Sequence, residues 1–311
     1  MGAEVQVAVG VIFDLHGNIL IAKRPASAHQ GGLWEFPGGK VAAGESVTEA
    51  LARELQEELA IGVTQTSPLI KIRHDYGDKQ VLLDVHRVTA FTGTPIGNEG
   101  QPLQWVSIAG LDDYSFPQAN RAIIQALRLP DQMLVTGAAE DENDFFQRLE
   151  RALQGGVRLV QLRVAEANLQ PRLVAKARAL CRHYGSRLLL NAPAAAFSQM
   201  PTDGLHLNRW QLQHHQQRPV AESVLLGASC HNRDEILQAR NIGADYVLIS
   251  PVAATASHPD ANPLGFEQFA ELAALAGCPA YALGGMQPEH LEKVKQHGGQ
   301  GIAAIRAWWG S

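Results

Sequence analysis

Apolar residues recur every second position in the opening stretch and switch to helical spacing further on. Val5 to Phe13 alternates around small and aliphatic residues, and His16-Gly17-Asn18 is a turn signal before Ile19-Leu20-Ile21, which predicts a hairpin. Ser46 followed by Glu49 reads as a capping box, so a helix is expected from there. At 100° per residue Leu51, Leu55 and Leu59 share one stripe, which predicts docking on a core. Leu69–Tyr76 and Gln80–Phe91 read as strands around Gly77-Asp78, and Leu103–Ile108 as another. Pro117-Gln118-Ala119-Asn120 then leads into an amphipathic helix.

Beyond Pro130-Asp131 the pattern becomes a repeated exchange of short aliphatic runs and amphipathic segments. Strands are expected at Met133–Thr136, Arg158–Arg163, Arg187–Asn191, Gly204–Leu207, Val224–Ala228, Tyr246–Ser250, Ala280–Leu283 and Gly301–Ile305. The clearest helical stretches are 143–154, 171–184, 232–241, 265–276 and 288–297. Eight such units in about 180 residues predict a compact (βα)8 TIM barrel whose functional face is the C-terminal end of its strands. The chain is therefore α/β throughout, with domains at 1–129 and 130–311.

Composition narrows the classes. A chain of 311 residues with 46% hydrophobic and 18% charged content is that of a globular protein. A net charge of −5 argues against a broad nucleic-acid or membrane surface, so direct nucleic-acid partners are not expected. The N-terminus lacks a basic n-region, and no apolar run approaches the roughly 18 residues a membrane span needs. Cys181, Cys230 and Cys278 make no CxxC, and the expected location is a reducing cytoplasm. Oligomeric state is not readable.

The densest chemistry lies in the capped helix. Glu54, Glu57 and Glu58 flank the leucine stripe, and close carboxylate pairs at these spacings cost about 0.2–0.5 kcal/mol each. Arg53 is the only cation in that helix. A hard divalent cation with oxygen ligands would remove the repulsion, and Mg²⁺ is typically held by a few carboxylates plus substrate phosphates. The preceding loop, FPGGKVAAGE, is punctured by glycines that permit close backbone approach.

With Gly39, Glu45, Arg53, Glu54, Leu55, Glu57, Glu58 and Ile61 in place, the segment resembles the Nudix box GX5EX7REUXEEXGU at eight of its nine fixed positions. Ala60 stands where the box has Gly, which is expected to shift the helix end and little else. Residues 5–129 further resemble MutT-type Nudix enzymes, 8-oxo-dGTP diphosphatases with an α/β/α sandwich built on a mixed sheet. The resemblance implies hydrolysis of 8-oxo-dGTP to the monophosphate and pyrophosphate, which would keep the oxidised nucleotide out of DNA. It implies Mg²⁺ as cofactor, with Mn²⁺ as substitute, held by Glu54, Glu57, Glu58, Glu99 and the Gly39 carbonyl. Glu54 or Glu99 would be the base. Arg53 would orient carboxylates through its i,i+4 pair with Glu57 and secondary contacts. In LIAKRPASAH, Arg24 would contact the nucleotide, where Lys23 reads as a solvated strand-end cation. Phe36 would lie near the base, Lys79 where the family can place an Arg against the substrate, and Asn120 against the oxidised purine edge. From the residues alone Asn120 is equally a helix N-cap.

The second half resembles the thiamine phosphate synthase/TenI family. Gln161 and Arg163 match its QLRxK segment, Asn191 its NDR, His206 its HLG, Ser229-Cys230-His231 its S-x-H, and Gly284-Gly285 its phosphate loop. Ala165 replaces the Lys, Ala192 and Pro193 replace the Asp and Arg, and NRWQ after His206 lacks the acidic metal ligand. The resemblance thus implies a barrel without synthase activity that binds a small phosphate ligand through Gln161, Arg163, Asn191, His231, Gly284 and Gly285. His231 reads as a hydrogen-bonding residue at a strand end, or as a general base of a tautomerase. An alternative function follows: a thiamine-pathway enzyme whose Nudix half hydrolyses pyrophosphates while the barrel binds or tautomerises a thiazole phosphate. A degenerate scaffold is the non-enzymatic option. His214-His215 read as solvated surface, and Trp308-Trp309 as terminal packing or a dimer patch.

Overall fold

The computed structural model describes residues 4–26, 30–75, 77, 80–165, 169–255 and 262–310. Lys79 falls outside these. The chain divides into two compact units, Met1–Arg128 and Leu129–Ser311.

The first unit holds β1 (Val5–Phe13), β2 (Ile19–Lys23), β3 (Trp34–Glu35), β4 (Gly38–Lys40), α1 (Val47–Leu59), β5 (Gly62–Asp75), β6 (Gln80–Thr92), β7 (Leu103–Val106) and α2 (Asn120–Arg128). Its strands run β3-β2-β1-β6-β5, with β4 beside β1 and β7 beside β2. β1 and β6 pair in parallel and the other neighbours antiparallel, so the sheet is mixed. Alternation along β1 sends Ala8 and Ile12 toward α1 and Val9 and Val11 toward the core that includes Ala122, Ile123 and Ala126 of α2. One helix thus covers each face.

α1 begins at the capping box read from the sequence: Ser46 Oγ accepts from Glu49 N–H, and the Glu49 carboxylate accepts from Ser46 N–H. Leu51, Leu55 and Leu59 are fully buried. At about 1.5–3 kcal/mol per leucine their burial contributes roughly 5–9 kcal/mol, an upper bound because the unfolded chain already hides some apolar surface. That anchorage holds the acidic flank of the helix at a fixed height above β1 and β4.

Helix α1 stops at Leu59, and Ala60 itself takes the left-handed cap at φ 57, ψ 31, donating its N–H to the Gln56 carbonyl. Ala therefore occupies a conformation that costs an L-residue about 1–2 kcal/mol and glycine almost nothing.

The second unit is a closed barrel of parallel strands in the order β10-β11-β12-β13-β14-β15-β8-β9. Its strands are β8 (Gln132–Val135), β9 (Leu159–Leu162), β10 (Arg187–Asn191), β11 (Gly204–Leu207), β12 (Leu225–Cys230), β13 (Tyr246–Ile249), β14 (Ala280–Ala282) and β15 (Gly301–Ala304). Between and after them lie α3 (Glu142–Gln154), α4 (Pro171–His183), α5 (Ala194–Gln199), α6 (Arg209–Gln213), α7 (Arg233–Asn241), α8 (Gly265–Ala276), α9 (Leu291–Gln296) and α10 (Arg306–Trp309). The stretch expected as one helix over 288–297 is a 3₁₀ turn at Pro288–His290 followed by α9. Outward strand residues such as Val160, Leu190 and Leu205 join the core that includes helix residues, while Leu159, Leu189, Tyr246 and Tyr281 fill the barrel's interior. Trp309 is buried, its indole N–H donating 2.8 Å to the Ala138 carbonyl, which makes it a packing residue.

Among the described residues no helix is long and apolar enough to cross a membrane. All three cysteines are free and buried.

Candidate functional site

In the first unit, α1 brings its carboxylates against Gly38-Gly39 of β4. A Cβ on Gly39 would lie 2.1 Å from Glu54 Cδ, so only glycine leaves room for that carboxylate. Glu58 Oε2 accepts from Gly38 N–H at 3.3 Å. Burial drives the Glu58 carboxyl up to about 7; the Gly38 N–H opposes the rise, while the negative charges of Glu35, Glu54 and Glu99 add to it. Four carboxylates therefore act on one another around a glycine backbone. Glu57 is different: its side chain is 60% exposed and reaches Arg53 at 3.4 Å. Glu99 sits on an exposed loop, its N–H held by Gln101 Oε1.

Arg53 does not work chiefly through Glu57. Its Nε and one terminal nitrogen grip both oxygens of Glu45 at 2.9 and 3.0 Å, and the other terminal nitrogen reaches Glu54 at 2.9 Å. The Lys40 carbonyl accepts a further bond at 3.1 Å. Hydrogen bonds from Arg53 hold Glu45 below the usual carboxylate range, and bonds to Glu45 and then Glu54 raise Arg53 itself. A planar fork at 53 thus ties the loop to the helix, which the i,i+4 pair alone could not do.

One residue escaped the sequence reading. Glu35, on β3, pairs with Arg24, and its carboxyl is raised by burial against the opposing pull of Arg24, with Glu99 adding to the rise. Its only sequence signal is its place between Trp34 and Phe36. Phe36 is buried and stacks on Phe116 with ring centroids 5.5 Å apart and planes at 17°. Asn120 opens α2, is 8% exposed, and its carboxamide has no hydrogen-bond partner among the described residues. As an N-cap it would have spent that oxygen on backbone.

The donor set suits a hard divalent cation. Carboxylate oxygens surround a backbone that admits no side chain, and the negative charges of Glu35, Glu54 and Glu99 add to the burial that raises Glu58. As the side chains stand, no three His, Cys, Asp or Glu residues among those described already converge as a ready metal site. Glu57 and Glu99 would have to swing in from solvent.

At the C-terminal mouth of the barrel, Gln161, Asn191, His206 and Ser229 stand on successive strands. His206 is fully buried between the Tyr246 hydroxyl at Nδ1 and Ser229 Oγ at Nε2, each 2.8 Å away. Burial, with Arg163 adding to it, depresses this imidazole to about 3, so it is neutral. Asn191 Nδ2 donates to Gln161 Oε1 at 3.4 Å. His231 Nδ1 bonds Glu235 Oε2 at 2.8 Å, and Glu235 also faces Arg209 at 3.0 Å. Gly284 and Gly285, at φ 91 and 67, pack against the loop after β13, where Ala253 N–H donates to the Gly284 carbonyl. Gln161, Asn191 and His206 thus form one network with Ser229 and Tyr246, while His231 stands in a separate pair.

By fold, the first unit is a mixed-sheet α/β sandwich with an acidic helix on a glycine-bearing strand, and the second is a (βα)8 barrel. Residues 8–126 match the family profile described as NUDIX domain, and residues 132–308 that of thiamine monophosphate synthase. The 8-oxo-dGTP diphosphatase of Escherichia coli K12 is 39% identical over 125 residues, 40% of this chain and 97% of that protein. The putative thiamine-phosphate synthase 2 of Aquifex aeolicus VF5 is 32% identical over 183 residues, 58% of this chain and 97% of the relative. A solved chain from a study of MutT of Aliivibrio salmonicida and Vibrio cholerae is 43% identical, covers 40% of this chain and 95% of its own, and has a TM-score of 0.36. The chain belongs to both families: it is a Nudix hydrolase through its first unit, joined to a thiamine monophosphate synthase-type barrel.

Proposed function

We propose that the first unit hydrolyses 8-oxo-dGTP to 8-oxo-dGMP and pyrophosphate, with Mg²⁺ as cofactor and Mn²⁺ as a substitute, and so keeps the oxidised nucleotide out of DNA. The observation that carries this is the carboxylate cluster pressed on Gly38-Gly39, with Glu58 raised first by burial and further by its acidic neighbours. Glu54, Glu57, Glu58, Glu99 and the Gly39 carbonyl are the residues to hold the cation. Bound there, Mg²⁺ would neutralise phosphate oxygens and acidify a water. Glu54 or Glu99 takes the proton of the attacking water as the water oxygen bonds to the β-phosphorus and the α–β bridging oxygen leaves with the monophosphate. Arg53, gripping Glu45 and Glu54, keeps helix and loop in register during this step. Arg24 and Lys79 are assigned to the phosphates, Phe36 and Asn120 to the base. A carboxamide offers one acceptor and two donors, which suits the O6 and N7–H edge of an oxidised guanine.

The test is pyrophosphate release from 8-oxo-dGTP and dGTP at saturating Mg²⁺, by the natural protein and by Glu58→Gln. A Glu58→Gln enzyme with near-normal turnover would remove the cluster from the chemistry. Equal kcat/KM for the two nucleotides would reduce the activity to general nucleoside triphosphate pyrophosphohydrolysis.

For the barrel, the closely packed Gly284-Gly285 turn favours binding of a small phosphorylated ligand without synthase turnover, since Ala165, Ala192 and Pro193 stand where the family carries charge. Calorimetry of the full chain with thiazole phosphate, and absence of thiamine phosphate formation, test this reading. It leaves the thiamine-pathway alternative distinguishable, because that function also requires turnover of the thiazole phosphate and its loss in His231→Ala.

A further inference from the structure

A helix ends on backbone carbonyls that have no donor within it. The last four of α1 belong to Gln56, Glu57, Glu58 and Leu59, and the middle two carry side chains assigned above to the cation. Ala60 N–H takes the Gln56 carbonyl. The other three are all served from one loop. Ile96 N–H donates to the Leu59 carbonyl, Asn98 N–H to that of Glu58, Asn98 Nδ2 to that of Glu57 and Gln101 Nε2 again to that of Glu58, each at 3.0 Å.

Glu99 lies between the two carboxamide residues. Gly100 N–H closes a turn onto the Gly97 carbonyl at 2.9 Å, and Gln101 Oε1 accepts from Glu99 N–H at 2.9 Å. One carboxamide therefore faces two ways: its oxygen holds the turn and its NH₂ holds the helix. A Cβ on Gly97 would fall 2.1 Å from the Gln101 carbonyl oxygen, so this fold-back needs glycine at 97. The neutrality of the donors also matters. The last turn of α1 has no basic residue. A Lys or Arg there would complement the negative end of the helix, but its charge would compete with a metal cation for Glu57 and Glu58. Amides satisfy the same carbonyls without that charge.

We infer that Asn98 and Gln101 are positioning residues that lock the Glu99 turn onto the end of α1, so that Glu99 reaches the cation by rotating its side chain and not by closing a loop. The anchor points are the backbone carbonyls of Glu57 and Glu58, so the helix and the turn move as one piece. Neither carboxamide needs to touch metal or substrate. The inference rests on the proposed role of Glu99 as a cation ligand.

The lock can be measured on the full chain without metal. Amide hydrogen exchange at Asn98 and Glu99, both on an exposed turn, is expected to run at least about tenfold slower than in an unstructured peptide. Gln101→Ala is expected to release the Glu99 amide. Unprotected exchange at both amides in the natural protein overturns the inference. The consequence for the ligand is read with Mn²⁺ alone, titrated against the full chain by electron paramagnetic resonance. Glu99→Gln and Gln101→Ala are each expected to weaken Mn²⁺ binding, the latter by about tenfold if the freed turn keeps its competent placement about a tenth of the time. The double variant is expected to bind no more weakly than Glu99→Gln, because both changes act through one carboxylate. Asn98→Ala, which cuts the bond to Glu57 on the other flank, is expected to act the same way and stands in if Gln101→Ala does not fold. A lowered Tm with Mn²⁺ affinity within twofold of natural would mean support of the helix end only, and overturns the inference while leaving Glu99 as a ligand. Unchanged Mn²⁺ binding in Glu99→Gln removes the ligand role itself, and the inference falls with it.

Discussion

Replacing Gly39 by alanine isolates the role of the glycine-bearing strand. Gly39 has an ordinary negative-φ backbone, so alanine meets no conformational penalty there, and the whole effect is steric. The new Cβ would lie 2.1–2.3 Å from the three carboxylate atoms of Glu54, where ordinary contact needs 3.4 Å or more, so the carboxylate must withdraw by over an ångström. Glu54 is the far end of a flexible side chain, and the leucine anchors of α1 are untouched. Folding should therefore survive, with Tm within a few degrees of the natural protein. Misplacing a reacting or ligating group by about 1 Å costs on the order of 100-fold, about 2.7 kcal/mol of barrier. Pyrophosphate release at saturating Mg²⁺ should fall by that factor in kcat. In the background of Glu54→Gln, which already lacks the carboxylate, Gly39→Ala should add far less, because the two changes act through one group. A Gly39→Ala enzyme within twofold of natural kcat would refute the claim that Glu54 must sit on this strand.

Other measurements follow from the same geometry. Ala60→Gly relieves about 1–2 kcal/mol of left-handed strain and adds about 0.4–1 kcal/mol of unfolded-state entropy, so a net gain near 0.5–1 kcal/mol is expected in urea unfolding. Glu58 has a folded pKa of about 7, above its unfolded value near 4.5, so its contribution to stability is fully present below about pH 4.5 and is lost as pH rises through 7. In EDTA the protein should lose Tm across that window relative to Glu58→Gln, and Mg²⁺ should restore it. Asn120→Ala should lower kcat/KM for 8-oxo-dGTP by roughly tenfold or more while changing that for dGTP less, since losing a recognition hydrogen bond to a buried base edge costs on the order of 1–3 kcal/mol; equal losses would remove Asn120 from base selection.

The parts that were legible in the sequence are those set by short-range rules. Ser46, Glu49 and the leucine stripe announce α1 because capping and periodicity are local, and Arg187–Asn191 and Gly204–Leu207 are read to the residue because aliphatic strands are bounded by turns. Strands β3 and β4 escape because two and three residues carry no period, and they are strands only through β2 and β1. The short helices α5, α6 and α10 escape for the same reason. At the site, carboxylate spacing shows Glu54, Glu57 and Glu58 but not which of them is buried, so Glu57 looks equal to its neighbours and stands 60% exposed. Glu35 was invisible because its significance comes from burial and from Arg24, eleven residues away. The bidentate hold of Arg53 on Glu45 likewise needs a loop to turn back, which spacing along one helix does not record.

Tyr246 and Gly227 constrain each other's history. A Cβ at 227 would fall 2.0 Å from Tyr246 Cζ, inside the ring's own volume. A descendant of this protein therefore reaches any larger residue at 227 only after the tyrosine has shrunk, and the reverse order passes through a broken barrel. The two sites form a ratchet, and reconstructed ancestors that carry a side chain at 227 should all lack the aromatic ring opposite.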